Sequence, residues 1–157
     1  MALKADRYEL QTDISFFYNE GVATRGCVVI HDSTTASGAA MDQGVNLVKK
    51  AAATSSSIPV GILMNDVVNK DLTRTHLNQH KDEVQKGGKV TILRKGWVVT
   101  NAITGTPNVG DIAYADHTNA GNITATSPAS SGVLAIGRFL SDKDEDGYAK
   151  VEVNLPN

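Results

Sequence analysis

One cysteine, eight aromatic residues and no long apolar run set the outer limits on what this 157-residue chain can be. Cys27 alone can form no internal disulfide and assemble no zinc site, which excludes a disulfide-built scaffold and favours synthesis inside a cell. With aromatics at 5% and hydrophobic residues at 41%, the core must be built from Val, Ile, Leu and Ala. Such a core suits sheet packing better than a large ligand cavity. Charge of one sign is also missing: 15 basic residues stand against 17 acidic ones, and neither half of the chain is strongly basic. A broad electrostatic footprint for nucleic acid is therefore absent. The opening MALKADRYELQTD places charges at Lys4, Asp6, Arg7 and Glu9, so it has neither the apolar heart of a signal peptide nor a membrane span. The expectation is a soluble protein with no nucleic-acid and no membrane partner.

What the chain does contain is β pattern. From Lys89 onward, KVTILRKGWVVTN, DIAYA, GVLAIGRFL and YAKVEVNL supply β-branched and apolar runs, with glycines at or beside their ends. The last run is the clearest, because Ala149, Val151, Val153 and Leu155 alternate with Tyr148, Lys150, Glu152 and Asn154, giving one buried and one wet face. Its partner, residues 133–140, is apolar on both faces apart from Arg138 and reads as a central strand. Upstream, residues 24–31 (TRGCVVIH) and 58–68 (IPVGILMNDVV) are strands, and 45–53 fits a short strand better than a helical turn. A small-residue loop follows His31, and the polar stretch 71–88 fits a solvated helix and a crossing loop equally. Residues 1–21 hold Tyr8, Leu10, Ile14, Phe16, Phe17 and Tyr18 without a sustained period, and so read as an arm that packs on its own domain or reaches a neighbour. The chain length fits one domain, so the expected division is an extended arm over 1–21 and a single all-β domain with little helix over 22–157.

No catalytic set emerges. Asp142, Asp144, Asp146 and Gly147 copy the first half of a calcium loop, but its twelfth position is Val153, Glu152 comes one residue early, and strands flank it. An exposed acidic hairpin turn is the expected role. His76 and His80 are one helical turn apart with Glu83 beyond, yet the Glu that follows the first His in helical zinc proteases is missing, which leaves a solvated pair. His31, Asp32 and Ser33 are neighbours in sequence and cannot converge as a triad must. Cys27, followed by Val28, Val29 and Ile30, reads as a small apolar strand residue. Lys86 to Val90 (KGGKV) lacks the Ser or Thr and the helix of a phosphate loop and reads as a turn. Trp97 reads as core or interface. Asn122 opens a glycosylation sequon that carries no weight without secretion. The expectation is no enzyme, no cofactor and no metal.

The order of these elements resembles the head decoration, or capsid cement, proteins of tailed bacteriophages. The likeness is carried by the strand ending Gly26-Cys27-Val28-Val29-Ile30, then Pro59-Val60-Gly61-Ile62-Leu63, the strand-Gly-strand around Gly96, and Val109-Gly110-Asp111-Ile112-Ala113-Tyr114. A short hairpin with Gly121, Ile136-Gly137-Arg138 and a terminal strand complete it. The resemblance implies a compact β-barrel or β-sandwich, β-tulip-like, assembled as a homo-oligomer, a trimer, on the outer capsid surface of the virion after synthesis in the host cytoplasm. Its partner would be the major capsid protein. Residues 1–21 would be the reaching arm, with Tyr8, Leu10, Ile14, Phe16, Phe17 and Tyr18 as the capsid or subunit interface. The competing expectation is a surface-binding module for carbohydrate, which would need exposed aromatics such as Trp97.

Overall fold

The computed structural model describes residues 3–32, 46–50, 58–64, 83–127 and 135–155, and these contain strands and no helix. His76, His80, Ser33, the small-residue loop after Asp32 and most of the stretches 71–88 and 127–132 lie outside the described residues.

The longest element is β1 (Leu3–Tyr18), which runs antiparallel along β7 (Lys89–Thr100) for nearly the whole of both strands. Between them they organise the sheet. β2 (Val22–Ala23) and β6 (Val84–Gln85) form a separate two-stranded pair. β3 (Val28–His31) lies between β4 (Leu47–Lys50) and β5 (Pro59–Leu63), antiparallel to both. β5 then pairs with β7 at Ile62 and Leu63, and the end of β1 pairs in parallel with β4 at Phe17 and Tyr18. The pairings β1-β4-β3-β5-β7-β1 therefore close a ring of five strands. The C-terminal half of β7 continues the sheet outward through β12 (Ala149–Asn154), β11 (Ala135–Phe139), β9 (Ile112–Ala115), β10 (Ile123–Thr124) and β8 (Ile103–Thr104).

Two apolar clusters follow from this path. Phe16, Tyr18, Val29, Val48, Val60, Val90 and Ile92 belong to one, drawn mainly from the strands of the ring. Val28, Ile30, Ile62, Leu93, Val98, Phe139, Val151 and Val153 belong to the other, which joins β3, β5 and β7 to the outer strands. β3 is thus buried on both faces, since Val28 and Ile30 enter one cluster and Val29 the other. That is why its sequence is a continuous apolar run rather than an alternation. β12, with one wet face, alternates as expected, and β11 sits between β12 and β9 as an internal strand.

Close approach of strands demands glycine at two points on β7's borders. Gly96 sits at φ +139 where a Cβ would collide with the carbonyl of Tyr8, and Gly61 sits at φ +156 where it would collide with the carbonyl of Leu93. Gly96 lets β1 lie tightly on the middle of β7.

Candidate functional site

The six apolar residues expected at an interface are sorted by the path of β1. Phe16 and Tyr18 are buried in the chain's own core, Phe17 is half-buried, and Leu3 at the other end is buried as well. Burial of Leu3 and Phe16 is worth about 1.5–3 kcal/mol each, so both ends of the strand are fixed. In between, Tyr8, Leu10 and Ile14 are 54%, 65% and 58% exposed. All three are large apolar groups that the folded chain leaves in solvent.

Tyr8 is regularly paired opposite Trp97, while Leu10 and Ile14 sit at bulges. Leu10 is the extra residue between the pairs Glu9/Gly96 and Gln11/Lys95, and Ile14 with Ser15 stands against Thr91 alone between Asp13/Ile92 and Phe16/Val90. An added residue breaks the two-residue period and re-aims the side chain. At the second bulge the Asp13 carboxylate accepts hydrogen bonds from the Ser15 amide at 2.8 Å and the Ser15 hydroxyl at 2.5 Å. The Ser15 hydroxyl bond is the main reason the Asp13 carboxyl is held below its ordinary pKa. Ile14 is thus presented from a braced loop.

The N-terminal end of β1 is latched across β7. Lys4 Nζ lies 3.1 Å from Asp144 and 4.2 Å from the centroid of the Tyr148 ring, both in the turn between β11 and β12. Asp144 also accepts the amides of Tyr148 at 2.7 Å and Asp146 at 3.1 Å, which, with the Tyr148 bond foremost, holds its carboxyl low. Asp142 accepts the amide of Val109 at 2.7 Å. Asp142 and Asp144 are therefore committed to bracing backbone in and beside this acidic hairpin turn, and among the described residues no cluster of three His, Cys, Asp or Glu has the arrangement to hold a metal ion.

The other candidates have structural roles. Asp32 accepts Asn19 Nδ2 at 3.0 Å and faces Lys49 Nζ at 3.3 Å, while His31 packs edge-on to Phe16 with ring centroids 5.6 Å apart. Burial, followed by nearby Arg94, keeps the His31 imidazole below its ordinary pKa. Cys27 is buried, with Thr24 Oγ1 3.4 Å from its sulfur. Gly87 and Gly88 make a turn whose amide and carbonyl bond Tyr18 at 2.7 and 3.0 Å, so KGGKV serves to seat the end of β1. Asn122 Nδ2 donates to Thr104 Oγ1 at 3.1 Å.

Sequence reasoning missed two features. Asp116 is buried and accepts the Thr118 amide and hydroxyl at 2.8 Å each and Asn119 Nδ2 at 3.0 Å. Burial alone would raise its carboxyl, but these donors and Thr104 outweigh that and hold it far below the usual range. The only available signal was the D-x-T-N order of a side-chain-capped turn. The second is the surroundings of Trp97, which faces outward, half-buried, with Lys150 Nζ 3.5 Å from its ring centroid. A shallow depression of about 420 Å³ opens beside it, lined by Tyr8, Leu10, Trp97, Glu152 and Asn154 among others, over the missing side chain of Gly96. Tertiary register, not local sequence, creates that site.

A β body with Asp116, Asp142 and Asp144 spent on bracing turns, and with three large exposed apolar side chains on β1, fits a structural protein that acts by contact. The family model for the structural cement protein (E217 gp24/Pam3 gp6) matches residues 12–154, and the chain belongs to that family of phage cement proteins. It is a structural protein of the phage capsid, and its work is to stabilise the shell. Ile14, Phe16, Phe17 and Tyr18 fall within the matched residues, and Tyr8 and Leu10 precede them. No curated protein matches the chain.

Proposed function

We propose that the chain docks on the outer surface of an assembled phage head, gripping the major capsid protein through the exposed middle of β1. The observation that carries this reading is the pair of locked ends around Tyr8, Leu10 and Ile14, which presents exposed apolar side chains without a flexible tether. Phe16 and Tyr18 anchor the strand from within, with Phe17 half-buried between them. A subunit that binds only the assembled lattice shifts the equilibrium toward the intact shell by mass action. In a homo-oligomer, with a trimer expected from the family likeness, several copies of β1 would engage together and modest contacts would combine. The protein is made in the host cytoplasm, works without cofactor and catalyses nothing. A carbohydrate module is the less apt reading, because the Trp97 ring already carries the Lys150 ammonium on one face.

The test is to mix purified protein with undecorated shells. Saturable binding with a raised temperature of shell disruption is expected, and shells that neither bind the protein nor gain stability would remove the proposal.

A further inference from the structure

The outward positions of five strands line up across the sheet. Tyr8 stands opposite Trp97, Trp97 opposite Glu152, Glu152 opposite Arg138, and Arg138 opposite Ile112, so one transverse row crosses β1, β7, β12, β11 and β9. Its members are exposed or half-buried. At the far end from β1, Val109, Ile112 and Leu140 form a second group of exposed apolar side chains. The strand ends that carry them are joined by Gly110 N to Phe139 O and Phe139 N to Asp111 O, both 2.8 Å.

Basic groups outnumber acidic ones on three of the five strands of this face taken together. The charged residues at outward positions of β7, β12 and β11 in and beside the row are Lys95, Lys150, Glu152 and Arg138, three basic and one acidic, on a chain whose net charge is −2. The row sets Trp97 and Arg138 on either side of Glu152, with Tyr8 and Ile112 at its ends, and Trp, Tyr and Arg are the residue types that act as anchors in protein-binding surfaces. A local excess of basic groups selects an acidic counterpart and speeds encounter.

We infer that this row is a docking face for an acidic patch on the shell subunit, with Trp97 and Arg138 as central anchors and β1 as one margin. The inference rests on the cement reading and extends its contact from β1 to a five-stranded face.

The test is cosedimentation of the full-length protein with shells assembled from the major capsid protein, at low and high salt. Lys95→Glu and Trp97→Ala should each weaken binding roughly 10-fold or more, and salt should weaken binding of the unaltered protein. Lys89→Glu, the same charge change at the exposed far end of β7, should leave binding within about twofold, as surface changes away from contacts do. Thermal melting of each variant separates lost contact from lost fold, and Lys95→Glu, at a half-exposed position opposite Asn154, keeps the test open even if Trp97→Ala loosens the sheet. Wild-type binding by both variants, while Leu10→Asp abolishes decoration, would overturn the docking face and leave the cement reading intact. Failure of the unaltered protein to bind shells would overturn both.

Discussion

At the scale of single residues, the fold depends on groups with no alternative. Gly96 is one, because any Cβ there meets the carbonyl of Tyr8 and the backbone sits in a region that favours glycine. Gly96→Ala is expected to cost about 1–3 kcal/mol from overpacking and strain, read as a lower melting temperature. Asp116 is another. Asp116→Ala would leave the Thr118 and Asn119 donors without their acceptor, a loss of about 1–3 kcal/mol measurable by denaturant unfolding. Because its folded pKa is depressed below the ordinary value of 3.8, the carboxylate's contribution is fully present above that pH. It is lost as the pH falls from there toward the folded value. The unaltered protein should therefore lose stability below about pH 4 more steeply than Asp116→Asn, and parallel acid-unfolding curves for the two would contradict this role.

At the scale of elements, β1 closes the five-stranded ring and delivers Leu3 to one core and Phe16 and Tyr18 to the other. Deleting residues 1–21 should therefore do more than remove a grip: it should expose both cores and give a protein with a weakened or lost cooperative transition by circular dichroism. The strand pattern downstream was legible in the sequence because β7, β9, β11 and β12 keep regular periods or continuous apolar runs, and the acidic turn was legible from the failed twelfth position of its calcium-like motif. β1 was legible as a segment that must bury aromatics, but not as a regular strand. Its bulges at Leu10 and at Ile14 and Ser15 reset the alternation that marks a strand. The six apolar residues of the expected interface look alike in local sequence, which cannot show that Phe16 and Tyr18 are buried while Tyr8, Leu10 and Ile14 are exposed. The row through Trp97 and Arg138 was illegible for a deeper reason, since it exists only once β1, β12, β11 and β9 take their registers around β7.

At the scale of the whole molecule, a sheet body with fixed strand ends suits a part that must hold its shape on a shell, and the proposed grip is the set of exposed apolar side chains in the middle of β1. The most direct measurement is the affinity of a Leu10→Asp, Ile14→Asp double variant for undecorated shells, alongside its melting temperature. Both side chains are more than half exposed, so melting should stay near that of the unaltered protein. Each buried aliphatic contact is worth about 1.5–3 kcal/mol, so decoration should fall by roughly 100-fold or more. A variant that melts normally and still decorates shells with unaltered affinity would contradict the account.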